Sequence, residues 1–412
     1  MNVLVRWGTK KIEVVLHPDK PILSFMEDLE KLTGVPINRQ KLAMKRKPIK
    51  PGGNWDPNEI KEGTQFMLIG TAELPPVPIE RPKEEEEQVP DEPISPLDAP
   101  NVMVGLKNFG NTCYLNACLQ TLRNLPKLAD ICRDSDPPRT SKSNQLTHAF
   151  CDFIRNFPAR LPDFIVALRQ FNPMFGELDP ETHAPRQQDA SEAWACILNA
   201  LIDSIGPVVQ NLFSIGFIVH ETCPEIEGLS KTIEDFDDRL RCFITSETRQ
   251  LEGGISMDSS FEREDPTLGR NVLCNTHREI SRLPPYLTVQ MMRFTFKTDE
   301  NIVAKIVRKV EMPFRLDTLQ WLSPELRAKV VAKRDAAGLN KSDAGYYRLK
   351  AVITHRGRSA NSGHYITHVR FEDQWVRYDD EKVKEVSEED ISALSGASDW
   401  HTSFLLIYEA LE

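Results

Sequence analysis

The chain has 412 residues, with 51 Lys and Arg against 61 Asp and Glu, which gives a formal net charge of −10 at pH 7. This length favours two domains, and the acidic balance argues against nucleic acid as a partner. No stretch approaches the roughly 18 uninterrupted apolar residues of a membrane-spanning helix, so no membrane partner is expected.

The first 73 residues show a strand–strand–helix–strand–strand pattern. Met1 to Arg6 and Lys11 to Leu16 alternate between apolar and polar residues, as half-buried strands do. Pro21 to Leu32 has apolar residues at helical spacing, and short strands are predicted at Lys41 to Met44 and at Thr64 to Ile69. Because the first strand begins at once, no signal peptide is expected.

Residues 74–100 differ in composition from both neighbours. They hold eight prolines and the acidic run Glu84 to Glu87, which is typical of an extended, solvated linker. The charge changes at the same places, with 12 basic and 9 acidic residues in 1–73 but 2 and 8 in 74–100. The predicted organisation is therefore a domain at 1–73, a linker at 74–100 and a second domain at 101–412.

One cysteine, Cys113, stands where a Gly- and Asn-rich loop meets the start of a helical pattern. The apolar stripe of that helix is formed by Leu115, Cys118, Leu119 and Leu122. Asn111 and Thr112 are good helix N-cap residues, and the N-terminus of a helix favours an anion such as a thiolate. A cysteine in this position is expected to have a lowered pKa and to act as a nucleophile, whereas Cys118 fits a buried thiol.

A base and an acid for this nucleophile are found near the end of the chain. His364 leads into an alternating strand, and Asp379 follows it by fifteen residues on a second strand. A short turn near Glu372 and Asp373 would set the acid beside the histidine, where it can orient the imidazole. Asp380 is the competing residue for that third role.

A further candidate site is the start of a helix predicted within Glu181 to Leu201. Gln188 and Asp189 precede its apolar face, and an acid at this point is favoured as an N-terminal cap by the helix dipole.

These segments resemble the ubiquitin-specific protease family over roughly Val104 to Tyr408, about three quarters of the chain. The matching segments are Gly110–Asn116, Gln187–Glu192, Leu283–Leu287, Arg293–Phe294, Ser362–Tyr365 and Trp375–Asp379. The resemblance makes Cys113 the nucleophile, His364 the general base and Asp379 the orienting acid, and it gives Asn108 a place in the oxyanion hole. It implies an α+β, papain-like catalytic domain, with a helical lobe carrying the cysteine and a β-rich lobe carrying the other two.

The resemblance also implies substrate and partners. The substrate would be ubiquitin on its conjugates, cleaved at its C-terminal glycine, with Gln188, Asp189 and Tyr365 along the channel for its tail. Residues 1–73 look like a β-grasp ubiquitin-like domain without a terminal diglycine, as in the proteasome-associated members. Docking on the 26S proteasome regulatory particle, a monomeric free state, and low free activity caused by loops at 296–301 and 356–362 are therefore expected.

Cysteine usage bears on metals and on location. Eight cysteines beside a thiol that must stay reduced point to a reducing compartment, here the cytoplasm and nucleus. Many relatives hold zinc with two Cys-x-x-Cys pairs, but this chain has only Cys274-x-x-His277, with Cys223 and Cys242 apart, so neither a metal site nor a cofactor is expected. Three alternatives remain open, namely a proteasome-docked ubiquitin-binding regulator that is mainly non-catalytic, a papain-type endopeptidase, and activity toward a ubiquitin relative.

Overall fold

A computed structural model shows two compact units, Met1–Ile94 and Ser95–Glu412. The residues it describes are 1–7, 10–33, 35, 37, 40–44, 47–49, 52–53, 55, 60–69, 102–180, 183–226, 229–265, 268–297, 302–337, 342–359, 362–396 and 401–411. The predicted linker at 74–100 lies outside this part, so the domain boundaries at 73 and 101 stay predictions. Residues 298–301 and 360–361, within the two predicted blocking loops, also lie outside it.

In the described residues of the first unit, a five-stranded sheet is accompanied by the helix α1. Its elements are β1 Asn2–Trp7, β2 Lys10–Val15, α1 Ile22–Thr33, β3 Lys41–Met44, β4 Lys47–Ile49 and β5 Gln65–Ile69. The strand order is β2-β1-β5-β3-β4, with β1 and β5 parallel and the other pairs antiparallel. The five predicted elements are confirmed, and the short strand β4 was missed. The rings of Phe25, Trp55 and Phe66 pack on one another in the core.

The second unit begins with a helical region. It contains α2 Cys113–Arg123, α3 Pro126–Asp134, α4 Lys142–Arg155, α5 Leu161–Phe171, α6 Ala190–Ile205 and α7 Pro207–Phe213. The first of these, α2, is buried from Cys113 to Leu122, because it has neighbours on every side. The helical character predicted for 113–212 is confirmed. None of the helices in the described part of the chain combines the length and apolar character that crossing a bilayer requires.

Two sheets follow in the chain. A four-stranded sheet has the order β7-β6-β10-β9 and is built from β6 Ile215–Thr222, β7 Ser230–Asp237, β9 Asp258–Asp265 and β10 Arg270–Arg282. A larger sheet runs β18-β17-β16-β15-β19-β11-β8, with β14 beside β15. Its strands are β8 Leu240–Phe243, β11 Tyr286–Met292, β14 Arg315–Asp317, β15 Tyr346–Ser359, β16 Ser362–Phe371, β17 Gln374–Asp379, β18 Lys382–Val386 and β19 Thr402–Ala410. The other elements include α8 Leu251–Gly254, the hairpin β12 Phe294–Lys297 with β13 Ile302–Lys305, α9 Pro324–Ala336, α10 Glu388–Ala393 and short 3-10 helices at Pro173–Gly176 and Leu319–Trp321.

The helical region packs directly on the large sheet. Thr121 of α2 and Thr367 of β16 share a hydrogen bond of 2.8 Å between their buried hydroxyls. The Tyr378 hydroxyl of β17 donates to the Val102 carbonyl at 2.7 Å. One hydrophobic core includes side chains from both parts, so the N-terminus of α2 is held against the end of the sheet where β16 begins.

Candidate active site

Cys113 is the first residue of α2, as predicted, and it is only 3% exposed. Thr112 occupies the N-cap position, but its side chain does not cap the helix; its hydroxyl instead accepts from the Phe109 N–H at 2.9 Å. Gly110 and Asn111 have φ of +86° and +53°, left-handed values that glycine and asparagine tolerate best. This tight loop directs the chain into the helix and sets the thiol at its N-terminus.

His364 and Asp379 face each other across neighbouring strands. The Nε2 atom of His364, near the start of β16, lies 2.7 Å from Oδ1 of Asp379, at the end of β17. The predicted turn between these strands is present, with Glu372 at φ +51°. Arg377 lies on the far side of the acid, with Nη2 3.7 Å from the other carboxylate oxygen. Since Nε2 is held by Asp379, the imidazole nitrogen left for Cys113 is Nδ1.

The electrostatics of the pair favour a charged imidazole. Hydrogen bonds with Asp379 and then with Cys113 raise the pKa of His364 to about 10, against the opposing effect of burial. Burial by itself would raise the pKa of Asp379, but its hydrogen bond with His364 and the charge of that ring keep the pKa below the ordinary value. The arrangement stabilises an imidazolium, which can donate a proton to a leaving group.

Asp380 turns away from this pair to a different network. Its Oδ2 accepts from the side-chain amide of Asn108 at 2.9 Å, and its Oδ1 accepts from that of Asn116 at 2.7 Å. The side-chain oxygen of Asn108 accepts from the backbone N–H groups of Gly110 and Thr112. Asn108 is therefore placed beside the nucleophile loop, although one of its amide hydrogens is taken by Asp380. Sequence reasoning gave Asn116 no role, although this residue ends the family-matching segment Gly110–Asn116.

The three predicted substrate residues lie in different environments. Asp189 caps α6 through the N–H groups of Ser191 and Glu192, as its position indicated. Gln188 donates to the Met174 carbonyl at 2.8 Å and lines a cavity of about 600 Å³ that also reaches Gly363. Tyr365 is 1% exposed and packs on the rings of His355 and Phe404. The cavity therefore reaches the residue that precedes His364, whereas Tyr365 is buried against two neighbouring rings.

The structure brings some metal-ligating side chains together. Ligand atoms of His364, Asp379 and Asp380 lie within 4.8 Å of one another, but hydrogen bonds within the site already engage them. Cys223 and Cys274, far apart in sequence, meet in a small buried cluster with Val272.

A buried thiol at a helix N-terminus, an imidazole and a carboxylate that holds the imidazole are together the site of a cysteine hydrolase. Residues 104–408 match the family model for UCH, ubiquitin carboxyl-terminal hydrolase. The chain belongs to this family, and it is a thiol-dependent deubiquitinase of the ubiquitin-specific protease type, with a mixed α/β catalytic domain.

The relatives extend over almost the whole chain. Ubiquitin carboxyl-terminal hydrolase 6 of Arabidopsis thaliana is 32% identical, covering 99% of this chain and 98% of the relative. Ubiquitin carboxyl-terminal hydrolase 14 of Caenorhabditis elegans is 30% identical over 99% and 93%. Among solved structures, the SAGA Ubp8/Sgf11/Sus1/Sgf73 DUB module bound to ubiquitin aldehyde matches with a TM-score of 0.58 and 20% identity, covering 75% of this chain and 70% of that chain.

Proposed function

We propose that the chain removes ubiquitin from conjugates through Cys113, His364 and Asp379. The observation that supports this most is the His364 imidazole, which Asp379 holds at 2.7 Å and whose pKa is raised by Asp379 and then by Cys113. In the reaction, the Cys113 sulfur attacks the carbonyl of the terminal glycine of ubiquitin, and His364 gives its proton to the departing lysine amine. Water then hydrolyses the thioester, with His364 as the base, which frees the thiol and the ubiquitin carboxylate.

The developing oxyanion needs donors beside Cys113. We assign this role to the Asn108 amide and to the backbone N–H groups at the start of α2. One such donor contributes roughly 3–4 kcal/mol to stabilisation of the transition state in other hydrolases. Because Asp380 already accepts one amide hydrogen of Asn108, the amide is held in one orientation and its second hydrogen remains for the oxyanion.

The cavity along Gln188 is the proposed channel for the C-terminal tail of ubiquitin. The cavity lies between the start of α6 and the beginning of β16, where Gly363 has no side chain to narrow it. A Cβ at Gly363 would lie 2.4 Å from Nε2 of His355, so this position has to stay glycine. Asp189 holds the helix end in place, and we assign Asp189 and Gln188 contacts with the extended tail.

The test of the catalytic assignment uses ubiquitin that carries a C-terminal electrophile. Cys113→Ala should abolish covalent labelling and keep ubiquitin binding. Cys118→Ala is the matched control, because Cys118 is fully buried and donates to the Ala190 carbonyl at 3.2 Å, and this variant should be labelled like the parent. Labelling that survives Cys113→Ala would overturn the assignment.

We propose in addition that the first unit is a ubiquitin-like domain that docks the enzyme on the regulatory particle of the proteasome. Support comes from its sheet order and the helix α1, together with the relatives that match 99% of the chain. The free enzyme is proposed to be a monomer of the cytoplasm and nucleus. Docking by a tethered domain raises local concentration without adding contacts at the catalytic site.

The docking face is proposed on β3 and β5. Leu42 is 2% exposed and belongs to the core, whereas Met67 is 48% exposed, and Ala43 lies directly opposite Met67. Ala43→Asp should weaken co-sedimentation with proteasomes, while Leu32→Asp, at an exposed position of α1, should not.

Deleting residues 1–73 should also weaken co-sedimentation with proteasomes. It should leave the rate at which the free enzyme hydrolyses a ubiquitin–fluorophore within a few-fold of the parent rate. Full proteasome binding by the truncated enzyme would place docking in the catalytic domain.

A further inference from the structure

A groove of about 530 Å³ lies in the second unit, where α9 meets one end of the large sheet. Its lining comes from α9, from the start of β15, from the end of β19 and from the turn that leads into β11. None of Cys113, His364 and Asp379 lines it. Its size is typical of a binding site, and we refer to it as the α9 groove.

The floor of the α9 groove is fixed by hydrogen bonds within the sheet. The Tyr347 hydroxyl donates to the Pro284 carbonyl at 2.5 Å. The Ala410 N–H donates to the Pro285 carbonyl at 2.8 Å. These bonds join β15 and β19 to the turn before β11, so the floor is in place before any ligand arrives.

The wall of the α9 groove is one face of the helix. Leu326, Lys329, Val330 and Lys333 all line the groove, and their spacing of i, i+3, i+4 and i+7 places them along a single stripe. Val330 is 6% exposed. The apolar members of the stripe therefore face inward, while the two lysines carry their charges along the same face.

The loop between α9 and β15 holds this wall against the sheet. Gly345 has φ of +74°, and a Cβ there would lie 3.0 Å from Cγ1 of Val330. Arg334 donates to the Ala344 carbonyl at 2.8 Å and pairs with Asp317 at 2.8 Å and 3.1 Å. A groove with fixed walls loses little conformational freedom when a ligand binds, which favours affinity.

The lining combines apolar surface with positive charge. Its cations are Lys127, Lys329 and Lys333, and it includes no Asp or Glu. Lys329 and Lys333 form no ion pair with any residue that the structure describes. The cavity proposed for the ubiquitin tail differs, because Glu177 and Asp179 line it. In a chain with a net charge of −10, a lining of this kind attracts anions locally.

The acidic residues near the α9 groove are directed elsewhere. Asp343 pairs with Arg315 at 2.6 Å, and Glu409 lies 3.9 Å from Arg348. Glu325 precedes Leu326 on α9 but does not line the groove. The positive charge of the lining is therefore available to a ligand.

We propose that the α9 groove binds an acidic segment of a partner protein in an extended conformation. Lys329 and Lys333 are separated by about 6 Å along the helix axis. Alternate side chains of an extended peptide are separated by a similar distance, roughly 6.6–6.8 Å, and they point to one side. Carboxylates at every second position can therefore meet the two lysines, while the apolar side chains between them point to the other side, toward the floor.

This mode of binding leaves the thiol site free. Because the catalytic residues do not line the α9 groove, a partner held there would be tethered beside the enzyme and would raise its own local concentration at the active site. The bound peptide should therefore not slow the reaction of Cys113 with a ubiquitin electrophile.

The test is fluorescence anisotropy of the full chain with the labelled peptide Gly-Glu-Leu-Glu-Leu-Glu-Gly. The parent should bind it saturably, and the double variant Lys329→Glu with Lys333→Glu should bind at least ten-fold more weakly. A peptide with Gln in place of each Glu, and a second with Ser in place of each Leu, should each lose at least ten-fold with the parent chain. Higher salt should weaken binding, since it screens the charges.

The matched control is the double variant Lys142→Glu with Lys20→Glu. Both lysines are exposed and neither lines the groove, and the change in net charge is the same, so this variant should bind the peptide like the parent. Both double variants should react with a ubiquitin electrophile like the parent, as folded enzymes do. The proposal is wrong if the parent does not bind the peptide, or if both double variants lose binding equally. Equal binding of the Leu and Ser peptides would show charge attraction alone and would also overturn it.

Discussion

Asn108 donates its side-chain amide hydrogen to Asp380 at 2.9 Å, and this bond joins the loop before the nucleophile to the end of β17. The backbone carbonyl of Asp380 also accepts from the Leu106 N–H at 2.8 Å. Asp379 and Asp380 are neighbours in sequence, yet they serve the two sides of the cleft, one holding the imidazole and the other holding the cysteine loop. Each of these two adjacent carboxylates therefore positions a different reacting group.

This division predicts different effects for two similar variants. Asp379→Asn replaces the acceptor for His364 with an amide that can stabilise the wrong tautomer, so kcat should fall by about 10²–10⁴-fold, the contribution typical of an acid–base system. Asp380→Asn keeps the left-handed backbone conformation (φ +52°), which asparagine tolerates. It keeps one acceptor as well, so its loss should be much smaller. Steady-state hydrolysis of a ubiquitin–fluorophore measures both, and the reverse ranking would give the third catalytic role to Asp380.

The pKa of His364 predicts a dependence of stability on pH. Its value of about 10 in the folded chain is above the ordinary value near 6.5, so the charged ring stabilises the fold fully below about pH 6.5. That contribution is lost as the pH rises through about 10. The difference in free energy of unfolding between the parent and His364→Ala should therefore shrink over this range, as urea titrations at several pH values can measure.

The same pKa can be followed directly by NMR of the His364 ring. Asp379 is the largest cause of the raised pKa, and Cys113 is the second. Asp379→Asn should therefore lower the pKa of His364 more than Cys113→Ala does. An unchanged titration curve in Asp379→Asn would mean that the 2.7 Å contact does not set the charge of the ring.

Gly105 is predicted to be intolerant of even one methyl group. A Cβ there would lie 2.5 Å from backbone atoms of Asp380 and Glu381, and backbone cannot move aside as a side chain can. Gly105→Ala should destabilise the fold by about 1–3 kcal/mol, as overpacking does, and should lower activity by displacing the loop that leads to Cys113. Gly253→Ala is the control, because nothing lies within 4 Å of its added Cβ. Equal unfolding midpoints for the two variants would contradict this.

Arg293 is predicted to be essential for folding rather than for catalysis. The residue is 1% exposed, and its guanidinium donates to the carbonyls of Ser403, Ile306, Arg308 and Ser395 at 2.6–3.0 Å. Lysine has fewer donors and lacks the planar fork, and each hydrogen bond to a charged group contributes about 1.5–3 kcal/mol. Arg293→Lys should therefore lose about 3 kcal/mol or more in denaturant unfolding, whereas the exposed Arg270→Lys should change little.

The sequence alone identified the elements that have strong periodicity. The strands and helix of the first unit, the helices after Cys113 and the hairpin that carries His364 and Asp379 were predicted because their apolar spacing and turn residues agree. The capping role of Asp189 followed from its position before an apolar stripe. Local patterns of this kind predict the structure correctly because the apolar faces that they define are the faces that pack in the folded protein.

Other features depend on long-range contacts and could not be predicted. Asn116 and Asp380 meet across 264 positions, and nothing in either local pattern predicts the bond. The approach of Cys223 to Cys274 depends on strand register, which short patterns leave undetermined. Tyr365 was assigned to the channel by the motif beside it, but its burial is decided by His355 and Phe404 on other strands.

The position of β19 in the large sheet has a consequence for synthesis of the protein. This strand, Thr402–Ala410, lies between β15 and β11, and β15 in turn pairs with the strand of His364. A ribosome makes these residues after all the other strands of this sheet, so the sheet has a gap between β15 and β11 until they emerge. We expect nascent chains stalled before residue 402 to resist labelling by a ubiquitin electrophile. Chains extended past residue 411 by an unstructured spacer should react, which would mean that the newly made protease is inactive while its catalytic domain is still being translated.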